Sequence, residues 1–261
     1  MKVNISSPKN LILLVLLFLT VDQINAQCED NWVITEGGSG FETFWDVAVD
    51  EAGAAYTIGY YDSTTVINGQ TILNPNSSAR IFLQKYNSDG SLAWSEAPEM
   101  TGSVFNLGQT IHYEDNHVYL AFSFIGDVVY GNDVITDTNG GILLMKLDTD
   151  GNRIWYHVLD GISSSNYVTG INTDSGGNVY FGGRGGSMTF GSEVIGEGLS
   201  SKAFLLKLNS EGEHLWNMID SQALFSRVWP IEIDPDDNII CLLYTSPSPR
   251  DATLSRMPSS A

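Results

Sequence analysis

A fourteen-residue segment that occurs three times at a fixed interval is the feature that most limits how this chain can fold. Its copies are IFLQKYNSDGSLAW at residues 81–94, ILLMKLDTDGNRIW at 142–155 and AFLLKLNSEGEHLW at 203–216. The lysine, the glycine and the tryptophan of the segment each recur every 61 residues. A period kept to the residue is typical of repeat proteins, in which each copy forms one supersecondary unit. The sequence therefore predicts an array of similar units.

Each unit has the pattern of four β-strands and shows no helical period. In the first unit, FWDVAVD (44–50) alternates apolar and polar residues, and an aromatic-rich strand follows at 54–62. The repeated segment supplies the third and fourth strands, with Gly90 in the tight turn between them. A looser arm precedes it and carries Asn68-Gly69, a strong hairpin signal. We predict units at 44–96, 105–158 and 167–219, and a partial unit at 227–240.

The third strand of each unit indicates how the sheets pack. Residues 142–145 (ILLM) and 204–206 (FLL) are apolar without alternation, so both faces of this strand are expected to be buried. Sheets stacked face to face, as in the blades of a propeller, satisfy this requirement. The first strand has a polar face and contains Pro230 in the partial unit, which favours a position at the sheet edge.

The repeated sequence resembles the secreted bacterial β-propeller repeat that is sometimes called the seven-bladed propeller repeat. The resemblance rests on F-L-x-K-[YL]-[ND]-x-[DE]-G-x-x-x-W-like text at 82–94 and 143–155, a contracted form at 204–216, and D-x-x-G-N-V-Y at 174–180. It implies an all-β fold, a β-propeller of four-stranded antiparallel blades in residues 27–240. The chain departs from the family pattern in length, because three full units and fragments are too few to close a ring of four to eight blades, so we predict an incomplete propeller. The resemblance also implies an exported or surface-attached protein with a binding or scaffolding role and no catalytic set. Residues 32–34, with Trp32 near the period, are predicted to form an outer strand of a neighbouring blade.

Both ends of the chain differ from the repeats. Residues 1–26 have the positive start, the apolar run and the small residue at Ala26 that are typical of a secretory signal peptide. Residues 241–261, CLLYTSPSPRDATLSRMPSSA, resemble translated sequencing-adapter read-through. We therefore predict that the mature protein is secreted or lies at the cell surface, and that the fold ends at Ile240.

The charge and the cysteine content exclude several classes of protein. The chain has 31 acidic and 12 basic residues and a net charge of −19. Such a surface is repelled by nucleic acids and by anionic membranes, so neither is expected as a partner. The two cysteines, Cys28 and Cys241, do not define a disulfide framework.

The motifs that suggest chemistry have simpler structural explanations. Asp148 and Asp150 lie in an acidic turn that resembles a calcium loop, but the equivalent turns lack the first carboxylate and no bidentate glutamate follows. The glycine-rich stretch 182–186 lacks the helix that a phosphate-binding loop needs. The four histidines occupy four different positions in their units, so they predict no metal site. We predict no catalytic, cofactor-binding or metal-binding residues.

Two tryptophans stand apart from the repeated ones. Trp94, Trp155 and Trp216 share one position in every unit, which favours a packing role between blades. Trp45 and Trp229 share a position on the first strand that other residues occupy in the remaining units. The channel-side face of the first strands is therefore where a binding site is expected.

These observations favour a secreted, non-enzymatic binding or scaffolding module whose partner is an unidentified protein or glycan and which needs no cofactor. One alternative is a propeller-type polysaccharide hydrolase or lyase, which would require two carboxyl groups about 5–9.5 Å apart. The other is a calcium-binding surface protein, which would depend on Asp148 and Asp150.

Overall fold

The computed structural model describes residues 32–34, 40–67, 70–74, 78–161, 167–196, 201–220, 225–246 and 253–257. The chain divides into two compact units, Met1–Val33 and Ile34–Ala261. Every regular element within the described ranges is a β-strand, and none of these residues forms a helix that could cross a membrane. The predicted signal peptide and Asn68-Gly69 lie outside the described residues.

Twenty strands lie in the described residues of the second unit. They are β1 (Glu42–Val49), β2 (Ala55–Tyr61), β3 (Thr65–Ile67), β4 (Gln70–Ile72), β5 (Arg80–Tyr86), β6 (Leu92–Glu96), β7 (Glu99–Met100), β8 (Ser103–Glu114), β9 (His117–Tyr130), β10 (Asp133–Asp148), β11 (Arg153–Gly161), β12 (Tyr167–Thr173), β13 (Val179–Gly185), β14 (Met188–Phe190), β15 (Glu193–Ile195), β16 (Lys202–Leu208), β17 (His214–Ile219), β18 (Phe225–Ile233), β19 (Ile239–Ser246) and β20 (Thr253–Met257). All pairings between them are antiparallel.

The strands form consecutive blade-like sheets. Blade 1 has the order β1-β2-β5-β6, and blade 3 has the order β12-β13-β16-β17. Blade 2 consists of β8, β9, β10 and β11 within a seven-stranded sheet, and β18, β19 and β20 form a partial blade. The predicted fold class, an all-β incomplete propeller of four-stranded antiparallel blades, is confirmed.

Apolar clusters between neighbouring sheets hold the blades together. One cluster joins blades 1 and 2 and includes Phe122, a second joins blades 2 and 3 and includes Phe181, and a third joins blade 3 to the partial blade. All seven residues of β16 are buried, so both faces of the third strand are covered, as predicted. Full burial of one large apolar side chain is worth about 1.5–3 kcal/mol, and this packing is the main stabilising contribution.

The first strands of successive sheets lie next to one another. β1 contacts β8, β8 contacts β12, and β12 contacts β18, and each is an edge strand of its sheet. A carboxylate links two of them, because Asp46 Oδ2 accepts hydrogen bonds from Thr110 Oγ1 (3.1 Å) and the Ile111 amide (3.0 Å). Pro230 lies in β18, an edge strand, so the prediction drawn from this proline is confirmed.

The hairpin arms reach from one unit to the blade before it. β14, in the arm of the third unit, pairs with β11 of blade 2 through Leu159, Asp160 and Gly161. β7, which follows blade 1, pairs with Val128 and Val129 of β9 in the arm of the second unit. Consecutive blades are therefore joined by backbone hydrogen bonds as well as by apolar packing.

Two predictions about the ends of the array are corrected. The structure assigns no strand to residues 32–34, where an outer strand was expected. The ladder also continues beyond Ile240, because β19 extends to Ser246 and β20 pairs with it. The physical reason is that the sequences of β19 and β20 contain no proline, so every residue in these two strands has an N–H group for the ladder. The adapter origin of residues 241–261 stays a prediction.

Candidate binding surface

The acidic turn at Asp148 is held together by its own carboxylate. Asp148 Oδ1 accepts hydrogen bonds from the amides of Asp150 (2.9 Å) and Asn152 (2.8 Å), and Oδ2 accepts one from Asn152 Nδ2 (2.9 Å). Partial burial raises the pKa of Asp148, but these hydrogen bonds outweigh it and lower the pKa below its ordinary value. Asp174 and Asp234 accept the same three kinds of bond in their turns.

This arrangement explains the acidic residues as turn-forming groups. A side chain that accepts amide hydrogen bonds from residues two and four positions ahead fixes the backbone of a tight turn. Across the described part of the chain, no group of three or more His, Cys, Asp or Glu side chains is placed to hold a metal ion. The geometry therefore supports the turn interpretation of Asp148 and Asp150.

The repeated lysine and tryptophan both donate a hydrogen bond to the same backbone carbonyl oxygen of the next blade. Lys85 Nζ and Trp94 Nε1 both donate to the carbonyl oxygen of Thr149, each at 3.0 Å. One unit later, Lys146 Nζ (3.2 Å) and Trp155 Nε1 (3.1 Å) donate to the carbonyl oxygen of Ser210. We call each such lysine and tryptophan a carbonyl clamp. The predicted packing role of these tryptophans thus includes a directional bond.

The equivalent lysine and tryptophan of blade 3, Lys207 and Trp216, make different contacts. Trp216 Nε1 is buried and has no hydrogen-bond partner within the described ranges. Lys207 forms an ion pair with Asp174 at 3.5 Å and lies 5.0 Å from the centre of the Tyr180 ring. Burial raises the pKa of Asp174, but hydrogen bonds from Asn178 and Tyr180, together with Lys207, outweigh it and lower the pKa.

The histidines serve separate structural purposes. His112 Nε2 forms a 3.0 Å hydrogen bond with Thr173 Oγ1 and so links β8 to β12. Burial lowers the pKa of His112 to about 4, so this imidazole is neutral near pH 7. The rings of His157 and His214 lie on either side of Phe190, with centroids 4.8 and 5.8 Å from it. They therefore pack against an aromatic ring and do not form a shared ligand set.

Residues 182–185 of the glycine-rich stretch lie in β13, and Gly186 follows in a bend. A Cβ on Gly183 would lie 2.1 Å from the carbonyl oxygen of Tyr167, and one on Gly182 would lie 2.5 Å from that of Phe204. These glycines allow neighbouring strands to approach closely. Residues 182–185 therefore belong to a strand that pairs with β12 and β16.

Every first strand has an irregularity in its pairing register, which is a one-residue β-bulge in β1 and β12 and a longer irregular stretch in β8 and β18. The pairing register shifts between Phe44 and Asp46 in β1, between Val168 and Gly170 in β12, and over longer gaps in β8 and β18. A bulge leaves its extra residue unpaired and turns the side chain in a new direction, and such features are common beside functional sites. The bulge residues include Trp45 in β1 and Trp229 in β18.

The two bulge tryptophans present their rings to solvent. Trp45 is 43% exposed and Trp229 is 49% exposed, whereas the tryptophans of the clamps are half-buried. The guanidinium of Arg227 lies over the Trp229 ring at 5.3 Å, and the Tyr60 ring lies 6.3 Å from that of Trp45. Exposed indole rings held in place by neighbours can stack on apolar ligand faces. We call Trp45 and Trp229 the bulge tryptophans.

Comparisons with known proteins do not assign this chain to a family. No family model matches it, and no curated protein matches it. One similar solved structure is a Bacteroides caccae protein of unknown function, at 13% identity and TM-score 0.22, covering 69% of this chain and 82% of that one. Two structures of glucose dehydrogenase match at 11% and 12% identity, with TM-scores of 0.24 and 0.23, each covering 88% of this chain and 100% of the other. At these TM-scores the similarities carry no argument about this protein.

Proposed function

We propose that this chain is a secreted or cell-surface β-propeller repeat protein that acts as a binding module, and that its bulge tryptophans contact a glycan. The observation that carries the proposal is the recurrent bulge, which exposes an indole ring on two of the four first strands. Exposing a large aromatic side chain forgoes the free energy that its burial would contribute. A ligand that covers the ring recovers this free energy.

A glycan suits these side chains because of its shape and polarity. The faces of a pyranose ring carry C–H groups that pack against an indole ring, and its hydroxyls remain free to bond to polar neighbours. Asp46 follows the bulge of β1, and Arg227 lies beside Trp229. The proposal assigns no catalytic role to these groups, so the protein should bind its ligand and leave it intact.

The test is a calorimetric titration with a panel of soluble oligosaccharides. We expect at least one to bind, and Trp45→Ala or Trp229→Ala to weaken that binding at least ~10-fold, as for an aromatic residue at the centre of an interface. Leu73→Ala is the matched control, because Leu73 is also exposed, at 70%, but lies on the arm of the first unit. Equal affinities for all four proteins would contradict the proposal, and release of shorter sugars would show an enzyme instead.

A further inference from the structure

A cleft of about 840 Å³ lies between the outer strand of blade 1 and the hairpin arm of the same unit. Its walls include the consecutive residues Leu92, Ala93, Trp94 and Ser95 of β6. Alternate side chains of a strand point to opposite faces of the sheet, so four consecutive residues can line one cleft only along the strand edge. The other walls are formed by residues 71–73, at the end of β4, and by residues 97–101 with Val129, which bring the carboxylate of Glu99 to the cleft.

The β6 edge has backbone groups available for pairing. In blade 1 the order of strands ends with β6, which pairs with β5 alone among the described strands. An edge strand presents a row of N–H and C=O groups that can pair with an added strand. The register between β5 and β6 is regular from Trp94 to Glu96 and shifts between Leu92 and Trp94, so an added strand would pair along residues 94–96.

Arg80 brings a positive charge into the cleft. Among the described residues no carboxylate forms an ion pair with Arg80, whereas Arg153 pairs with Asp133 and Lys207 with Asp174. Its Nε atom is buried without a hydrogen-bond partner in that part of the chain. Burial raises the pKa of Tyr61, and the positive charge of Arg80, which donates a hydrogen bond to the Tyr61 hydroxyl, opposes this rise. The chain has 31 acidic and 12 basic residues, yet no described carboxylate forms an ion pair with this guanidinium.

We propose that this cleft binds an extended peptide segment of another protein, which pairs with the β6 edge and places a carboxylate side chain on Arg80. Strand addition supplies affinity through main-chain hydrogen bonds, and pockets for alternate side chains supply specificity. The exposed Leu73 lies on the cleft wall and offers an apolar contact to a residue of the added strand. Arginine binds a carboxylate through two parallel N–H···O bonds, which fixes the position of the acidic residue.

The charge of the protein limits the sequence of the peptide. With a net charge of −19, the surface repels strongly acidic segments, so the carboxylate should stand among uncharged residues. A polar residue should alternate with an apolar one, because only one face of the added strand turns toward the cleft. This site is separate from the bulge tryptophans and goes beyond the proposed function.

The experiment is a selection of random nine-residue peptides displayed on their own messenger RNA, with the full chain immobilised. The wild type should enrich Asp or Glu at one position and deplete proline over the neighbouring positions, because proline cannot donate to a ladder. Arg80→Gln should lose the acidic preference and keep the depletion of proline. Arg153→Gln is the matched control, since it removes the same charge outside the cleft and should select the same peptides as the wild type.

Fluorescence polarisation then measures one enriched peptide and its Glu-to-Gln counterpart. The change should weaken binding to the wild type by about 10- to 100-fold and binding to Arg80→Gln by less than about threefold. No acidic preference, or a preference that survives in Arg80→Gln, would overturn the proposal. Self-association that depends on Arg80 would identify a second copy as the occupant and would overturn it as well. Neither measurement uses a glycan, so their outcome is independent of the test of the bulge tryptophans.

Discussion

The carbonyl clamps allow the value of one hydrogen bond between blades to be measured against an internal control. Trp155 and Trp216 occupy the same position in consecutive units, and both rings are half-buried. Trp155 Nε1 donates to the carbonyl oxygen of Ser210 at 3.1 Å, whereas Trp216 Nε1 is buried without a partner among the described residues. Substitution of each by phenylalanine removes the N–H and keeps most of the ring.

The expected losses of stability differ in size. Trp155→Phe gives up a bond worth about 0.5–1.5 kcal/mol in addition to the lost ring area. Trp216→Phe gives up a similar area but removes a buried donor whose lack of a partner costs about 1–3 kcal/mol. We therefore expect the free energy of unfolding to fall by at least ~1 kcal/mol more for Trp155→Phe than for Trp216→Phe. Trp155→Ala removes the whole ring and should lower the free energy of unfolding by about 3–5 kcal/mol, which is the upper limit for the loss in Trp155→Phe.

Urea denaturation followed by far-ultraviolet circular dichroism measures these differences, provided that the slope of each transition stays the same. The double variant with Lys146→Met separates the two donors of one clamp, because both bind the same oxygen. Equal losses for the two phenylalanine variants would refute the reasoning. They would show that the ring area, and not the bond to Ser210, decides the strength of the clamp.

Two further predictions concern acidity and backbone conformation. Burial lowers the pKa of His112 from 6.5 to about 4. Between these two pH values the imidazole of His112 is therefore protonated in the unfolded chain and neutral in the folded chain. The free energy of unfolding should therefore fall as the pH falls from 6.5 to 4, by at most ~3 kcal/mol from this group, and His112→Gln should remove that part of the slope in urea titrations. Gly212 has a φ of 86°, and a Cβ there would lie 2.5 Å from His157 Nε2, whereas Gly191 has a φ of 59° and no neighbour within 4 Å. Gly191→Ala should lower the free energy of unfolding by about 1–2 kcal/mol, because alanine is strained at this φ. Gly212→Ala should lower it clearly more, because its Cβ also meets His157. Equal melting temperatures for the two variants would contradict this.

The sequence predicts the parts of the fold that repeat. The fixed period locates the hairpin turns, and Gly90, Gly151 and Gly212 adopt φ values of 82°, 85° and 86° there, as a tight turn requires. The continuous apolar run of the third strand likewise predicts a strand covered on both faces. Both signals are local or periodic, so they can be recognised from one chain.

Other contacts leave no such signal in the sequence. The clamps bind the carbonyl oxygens of Thr149 and Ser210, and a backbone atom places no demand on the side chain that carries it. The cleft around Arg80 brings together strands that are separate in sequence, so no spacing of residues indicates it. The exposure of Trp45 depends on a bulge, which the alternation of residues in β1 does not reveal. The position of Trp45 in the unit is visible in the sequence, but the cause of its exposure is visible only in the structure.

The pairing of β14 with β11 has a consequence for the integrity of the protein after cleavage. A cut in the chain between β11 and β12 would leave two fragments joined by the ladder of Leu159–Gly161 with Met188–Phe190. They would also share the apolar cluster between blades 2 and 3. The fragments should therefore migrate as one species until a denaturant separates them. The third unit forms blade 3 and also adds β14 and β15 to the sheet of blade 2. Loss of blade 2 or of the third unit would therefore damage the one that remains.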